Sequence, residues 1–582
     1  MSITKFLKDV WAVKETLFVI LVPLLLLPLP LTADSQEAKC AYGLVVMAIL
    51  WITESLPLAV TALLPIILFP MLGVVKVSDV CSNYIKDSSM FGFGGLTIAI
   101  AVEKWNLHKR IALKALLLVG SEPKWLMLGF MLPTWFLSMW VSNTATTAMM
   151  IPIVGAVMEE LKSVKPNSKG SDNRGYDSVI QNEAEDEEVD RPEKNHNKKG
   201  EHITVQKEGD VAESDQWNKG MCLCVAYAAN VGGTGSLSGT TPNIIMQGQA
   251  DIIFEKHGLS SGVNFASWMV FALPGSLLCL ILTWLWLQFL FLGWRSFLCC
   301  KKKDNDTDQR VKKTIRDAYK SLGPISFSET TVLVHFILLV ILWFSRDPPY
   351  VDGWGIFFQK GYVGDSVVAI LIVTSLFVFP SERPKVFFFR RRHDTTTPRK
   401  SVAAILDWES VHQKFPWGVL LLIGGGFALA DASEVSGLSL WIGDKLTVFG
   451  NMEPWLMNLI LTIIVAFATE VTSNTATATL LLPIIGNIAE NLGMNPLYLM
   501  FPCAIATSFA FMLPVATPPN AIVFANGSLK VSDMAKAGAM LNVICILVLS
   551  LATNTWGMAY FNLDVPIGGN NRTTSVPSNR TI

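Results

Sequence analysis

Val141-Ser142-Asn143-Thr144-Ala145-Thr146 and Thr472-Ser473-Asn474-Thr475-Ala476-Thr477 are two near-copies of one hexad in a single chain. Their central asparagines lie 474 − 143 = 331 residues apart. The same offset aligns Gly94-Gly95 with Gly425-Gly426, Glu103 with Glu434, Leu107 with Leu438, and Ile151-Pro152 with Leu482-Pro483. A register held over this length marks an internal repeat, and missing one misassigns the fold. Further on, Thr241-Pro242-Asn243-Ile244-Ile245 is matched by Pro518-Pro519-Asn520-Ala521-Ile522 at an offset of 520 − 243 = 277. The shortfall, 331 − 277 = 54, is the length of the stretch from Ser163 to Gln216.

That stretch differs in kind from its surroundings. It carries Glu183, Glu185, Asp186, Glu187 and Glu188, scattered lysines, and few large apolar residues. It cannot bury enough apolar surface to offset the entropy of ordering. It reads as a disordered loop inserted into the first copy, a tolerated insertion in preference to a regulatory segment.

The remainder reads as membrane. Of 582 residues 51% are apolar and only 16% charged, against about 25% charge in ordinary soluble proteins. A net charge of −1 gives no field that would recruit nucleic acid. Apolar runs recur at Thr16–Leu31, Tyr42–Thr61, Ala62–Val75, Phe91–Val102, Ile111–Val119, Trp125–Trp140, Met221–Val231, Phe265–Leu292, Thr330–Phe344, Val367–Phe379, Gly418–Ala430, Trp455–Phe467, Leu499–Met512 and Ala537–Trp556. The first lacks a small-residue cleavage site and reads as a retained span. Several others are too short for the roughly 20 residues of a full crossing, as re-entrant hairpins and broken helices are. The expectation is an all-α polytopic protein with about 11 transmembrane helices and two re-entrant hairpins. Lys5, Lys8 and Lys14, then Lys301–Lys303, then Arg390–Arg392 place the N-terminus and two long loops in the cytoplasm. Asn571-Arg572-Thr573 and Asn579-Arg580-Thr581 fit the glycosylation acceptor pattern, which puts the C-terminal tail outside. An odd number of crossings satisfies both.

The expected organisation is therefore 1–162, the first half with its hairpin; 163–216, the loop; 217–320, the rest of that half and a cytoplasmic connector; 321–560, the second half; and 561–582, the tail. Loop charge favours an inverted repeat, because the first hexad leads into the cytoplasmic loop and the second does not.

A Ser-Asn-Thr triplet at a hairpin tip supplies short hydroxyl and amide groups. Its oxygens suit a hard cation, and freed N–H groups at helix starts suit a carboxylate. Gly232-Gly233, Gly235 and Gly239 allow close backbone approach, and Ala516-Thr517-Pro518-Pro519 interrupts a helix and frees carbonyls. One such triplet is better read as helix–helix glue. Two copies, each followed by a Pro-Asn segment, point to a site. Neither motif contains Arg or Lys, so a bound carboxylate needs its charge balanced by a cation that travels with it. Glu54, Glu103, Glu434 and Glu470 lie in or beside apolar runs, where acids are functional by default, although Glu103 and Glu434 as repeat partners also read as structural ties. No zinc-binding, P-loop or nucleophile motif occurs.

At these residues the chain resembles the divalent anion/sodium symporter family, specifically its animal sodium-coupled di- and tricarboxylate transporters. The resemblance is carried by Trp105-Asn106-Leu107-His108-Lys109-Arg110, Leu137-Ser138-Met139-Trp140, the stretch from Ser142 to Met150, that from Gly424 to Ala430, and that from Leu513 to Val523. It implies an elevator-type homodimer in the plasma membrane that imports succinate, related citric-acid-cycle anions or citrate together with sodium, electrogenically. It implies a first sodium site from Ser138, Ser142, Asn143 and Gly239, and a second from Thr469, Ser473, Asn474 and Ala516. It implies that the substrate meets Asn143, Thr144, Thr240, Thr241, Asn474, Thr475, Thr517 and Pro518. Thr241 stands where several relatives carry Gly or Ala, and its bulk favours succinate-like dicarboxylates over citrate. A sulfate symporter of the same family is the alternative within transport; an intramembrane enzyme or receptor is the alternative from another class.

Overall fold

The computed structural model describes residues 13–119, 122–163, 200–293, 305–348, 351–359, 361–383, 401–445 and 452–567. Among these, the regular elements are all helices, with one isolated β-bridge between Pro380 and Ala404. The helices that position the site are α1 (Asp87–Lys104), α2 (Pro123–Ser138), α3 (Asn143–Ser163), α4 (Gly200–Thr234), α5 (Thr241–Lys256), α6 (Phe265–Leu287), α7 (Trp417–Val435), α8 (Pro454–Ala468), α9 (Asn474–Asn491), α10 (Pro496–Ala506), α11 (Pro518–Ala525) and α12 (Val531–Ala552).

The sequence repeat returns as repeated helix boundaries. At offset 331, α8 and α9 begin where α2 and α3 predict, and α7 begins one residue before the place α1 predicts; at offset 277, α11 begins where α5 predicts. Both α2 and α8 open with proline directly after a glutamate, Glu122-Pro123 and Glu453-Pro454. Proline suits the first helical position because its missing N–H has no intrahelical partner there. Each half thus holds a helical hairpin, α2–α3 or α8–α9, and a helix broken in the middle, α4–α5 or α10–α11.

The packing crosses between halves. The first arm of each hairpin lies on its own broken helix, α2 on α4 and α8 on α10. The second arm lies on the far segment of the other half's broken helix, α3 on α11 and α9 on α5. The two copies therefore interlock through the second arms of their hairpins.

Among the described residues, six helices are long and apolar enough to cross a membrane: Lys14–Ala33, Val77–Lys104, Phe265–Leu292, Phe327–Arg346, Trp417–Val435 and Val531–Phe561. Four shorter apolar helices accompany them, including α8 and α10. At about 1.5 Å per residue, the 11 residues of α10 fall well short of a core about 30 Å thick. Leu25, Leu31 and Leu371 turn outward, 74%, 71% and 62% exposed, as side chains facing lipid do.

Three expectations need correction. The segment 163–216 is not unordered throughout: α4 begins at Gly200, so 200–216 is helical, while 164–199 lies outside the described residues. Once the packed part of α4 exists, each added residue propagates the helix without a new nucleus, and 200–216 contains no proline. The run Tyr42–Thr61 is not continuous: its helix stops at Thr53, and Glu54 takes a left-handed conformation (φ 48°) with its side chain exposed. The run Leu499–Met512 is helical only to Ala506. Asn571 and Asn579 lie outside the described residues.

Candidate functional site

The two hairpin tips are built alike. At the first, the Ser138 hydroxyl donates to Asn143 Oδ1 at 2.5 Å. At the second, the Thr469 hydroxyl donates to Asn474 Oδ1 at 2.8 Å. Ser138 and Thr469 are repeat partners at offset 331, as are the two asparagines. Each pair closes the turn between hairpin arms. Thr469 Oγ1 also lies 2.7 Å from the Thr507 carbonyl; with one hydroxyl proton it serves one acceptor at a time. Ser142 caps its helix by accepting from the Ala145 N–H at 3.2 Å.

The two helix breaks are also built alike. Asn243 Nδ2 donates to the carbonyls of Gly233 at 3.1 Å and Ser236 at 2.8 Å. Asn520 Nδ2 donates to the carbonyls of Ala510 at 2.9 Å and Leu513 at 3.0 Å. Every participant is displaced by 277, so both copies make the same two hydrogen bonds. A helix that stops inside the protein leaves carbonyls without partners, and a buried unsatisfied carbonyl costs about 1–3 kcal/mol. The asparagine of each Pro-Asn motif removes that cost by clasping the break.

Tip and break meet in each half. A Cβ on Gly233 would fall 2.7 Å from Asn143 Oδ1, and a Cβ on Gly239 would fall 2.5 Å from the Gly233 carbonyl. Both positions therefore require glycine to bring Asn143, Gly233 and Gly239 together. In the second half the contact is made by a carboxyl group. Glu470, 4% exposed, accepts from the backbone N–H groups of Phe511 (2.9 Å), Met512 (3.0 Å) and Leu513 (3.2 Å), and from Asn542 Nδ2 (2.8 Å). These bonds anchor the stretch that follows α10 to the hairpin tip. The sequence there, Ser508-Phe509-Ala510-Phe511, contains no breaker; α10 closes with the Ser508 N–H on the Ile505 carbonyl and the Phe509 N–H on the Ala506 carbonyl, and Glu470 then holds the non-helical stretch that follows.

The expected first-sodium residues Ser138, Asn143 and Gly239 are thus neighbours, with Ser142 beside them at the tip. For the second site, Thr469 and Asn474 are bonded, and Ser473 is the residue before α9. Ala516 and Thr517 end the second break, which Glu470 ties to the tip. Of the expected substrate residues, Thr144 and Pro518 are exposed, Asn143, Thr240, Thr241, Asn474 and Thr475 are half-buried, and Thr517 is buried. Thr240 and Thr517, repeat partners, are the extended residues preceding α5 and α11. Among the described residues no hydrogen bond joins the two tips directly. Asn243, Asn520 and the partners of Glu470 complete the site; the Pro-Asn spacing is the signal that could have found the first two. The other acids are surface ties: Glu103 pairs with Lys414 at 2.8 Å and Glu434 with Lys256 at 2.6 Å. Among the described residues no group of His, Cys, Asp and Glu could hold a metal ion. What the site offers is hydroxyls, amides and backbone, suited to a hard monovalent cation beside a carboxylate.

A family model described as the sodium:sulfate symporter transmembrane region matches residues 8–563. Solute carrier family 13 member 2 of Rattus norvegicus is 46% identical, covering 98% of both chains. The Na(+)/citrate cotransporter of the same species is 45% identical over 94% of this chain and 96% of its own. The Na(+)/dicarboxylate cotransporter 3 of Mus musculus is 42% identical over 96% and 94%.

Proposed function

Because the chain belongs to the family of the sodium:sulfate symporter transmembrane region, we propose that it is a sodium-coupled symporter importing di- and tricarboxylates, with succinate-like dicarboxylates preferred. The observation that carries this reading is the doubled tip-and-break, built from hydroxyls, amides and backbone with the single acid Glu470, and free of Arg and Lys in either motif. A dicarboxylate seated there has no resident cation to balance it. Sodium bound at Ser138, Ser142, Asn143 and Gly239, and at Thr469, Ser473, Asn474 and Ala516, supplies the positive charge, so the anion binds well only with its ions. More than two sodium ions per divalent anion makes transport electrogenic.

Movement follows from the interlocked halves. Hairpins and broken helices form one body, and that body carries the site across the membrane against a scaffold that includes α1 and α7. The halves are inverted, the N-terminus is cytoplasmic, the tail bearing Asn571 and Asn579 is extracellular, and the working unit in the plasma membrane is a homodimer.

Near-equal identity to citrate and dicarboxylate cotransporters leaves substrate preference to the site. Thr241, half-buried at the start of α5, places a branched side chain where a third carboxylate would need room. The test is uptake of radiolabelled succinate, citrate and sulfate by expressing cells in sodium or in choline. Succinate uptake that collapses in choline is expected. Sodium-independent uptake at full rate defeats the proposal, and strong competition by sulfate would favour a sulfate symporter.

A further inference from the structure

The two breaks are equivalent in their clasps but not in what holds the clasps. Fixing Nδ2 of Asn243 and of Asn520 on two carbonyls each leaves both Oδ1 atoms in need of a donor. Asn520 Oδ1 has one: Asn230 Nδ2, at 3.5 Å. The same Nδ2 donates to Thr517 Oγ1 at 3.2 Å, and its two hydrogens allow both bonds. Asn243 Oδ1 is buried with no hydrogen-bond partner. The repeat partner of Asn230, at 230 + 277 = 507, is Thr507. Its single hydroxyl proton goes to the Ala504 carbonyl at 2.7 Å, so the first break has no corresponding tie.

The amide orientation of Asn230 follows from its partner Asn520, and it leaves Asn230 Oδ1 itself buried without a hydrogen-bond partner. Turning it over would set its oxygen against Asn520 Oδ1, whose own orientation is fixed by two carbonyls. Asn230, 1% exposed on α4, therefore braces the far half of the molecule at Thr517 and Asn520, next to Ala516.

We propose that Asn230 is a positioning residue that holds the second break ready for a cation and makes the second sodium site the tighter of the two. This rests on the sodium-coupled reading above. A cation entering a braced loop does not have to order it, and preorganisation of this kind raises affinity. The first break, unbraced at Asn243, is ordered by its cation on binding, so the second site fills at lower sodium.

The experiment titrates sodium, balanced by choline, against the unfolding temperature of the purified full-length protein without substrate, since a ligand that binds the folded state raises it. The wild type is compared with Asn230→Thr, the residue used by the other repeat; Asn230→Ser serves as a second variant where Asn230→Thr does not reach the membrane. The sodium concentration for half-maximal stabilisation is expected to rise about fivefold, the factor corresponding to one neutral hydrogen bond. In cells, the succinate KM at saturating sodium is expected to stay within about twofold, which a general loss of packing would not respect. A wild-type sodium response with unchanged half-saturation in the variants overturns this proposal alone. A wild type that sodium does not stabilise over choline overturns the sodium-coupled reading and this proposal with it.

Discussion

At the scale of single residues, the site depends on atoms that leave no room for substitution. Gly233→Ala puts a methyl group 2.7 Å from Asn143 Oδ1, inside van der Waals contact, with the hairpin tip on the other side. We expect this variant to reach the cell surface and lose at least about nine-tenths of sodium-driven uptake, since moving a binding group by an ångström or so costs a hundredfold in comparable sites. Gly155, on α3, has nothing within 4 Å of an added Cβ. Gly155→Ala is expected to keep wild-type uptake and gain about 0.5–1 kcal/mol in stability from helix propensity. Surface labelling and uptake measured side by side check the pair. Asn143 and Asn474 were legible because the sequence repeats them. The hydroxyl partners Ser138 and Thr469 were reached through family resemblance, since Ser at one copy and Thr at the other hide their equivalence. The partners of Glu470 were not legible at all: they are backbone N–H groups some forty residues away, and no side-chain pattern announces them.

Helices and breaks form the next scale. The Pro-Asn motif reads in sequence as an ion or anion feature, whereas in the structure its asparagine is the clasp of the break. Asn520→Ala removes two hydrogen bonds and strands the carbonyl of Ala510, while that of Leu513 keeps the Ala516 N–H, so a loss of about 1–3 kcal/mol is expected, visible as a lower unfolding temperature without ligand. The end of α10 at Ala506 escapes propensity arguments because no glycine or proline stands at it. Asp407 offers a case where sign can be worked out. It precedes the helix Trp408–Lys414, accepts from the Ser410 N–H at 2.7 Å, and pairs with Lys104 at the end of α1. The Lys104 hydrogen bond first, and the Ser410 N–H second, lower its carboxyl to about 2. A carboxyl lowered on folding stabilises above its ordinary value near 3.8 and loses that contribution as pH falls through its folded value. The difference in unfolding temperature between wild type and Asp407→Asn should be constant near neutrality and shrink between about pH 4 and pH 2. Because both groups are partly solvated, the difference is expected to be small.

For the whole molecule, the repeat predicted the architecture because offset and period survive divergence of individual residues. The membrane character was equally legible from composition. The number of crossings was less so, because broken helices and hairpin arms are apolar without being long. The inserted segment misled in part, since its polar composition hides a helix that propagates back from a packed span. Substrate choice is a property of the assembled pocket. Thr241→Gly should raise citrate uptake relative to succinate by about tenfold if one branched side chain is what excludes the larger anion, the range a small steric difference supplies. The ratio of the two labelled uptakes in the same cells checks it, and an unchanged ratio counts against a steric role.

Glu470 has no counterpart in the other half: the residue at 470 − 331 = 139 is Met139. Accepting four donors and giving none, it has the bonding of a carboxylate, and it sits where the second break meets the tip. An anion that arrives alone meets like charge there; one that arrives after sodium does not. We expect that charge to guard against slippage, in which substrate runs down its gradient unaccompanied and wastes the ion gradient. Glu470→Gln keeps the shape and removes the charge. It should raise succinate flux in choline above the wild-type background while lowering flux in sodium. In this view the residue that anchors the second break also keeps the carrier from becoming a leak.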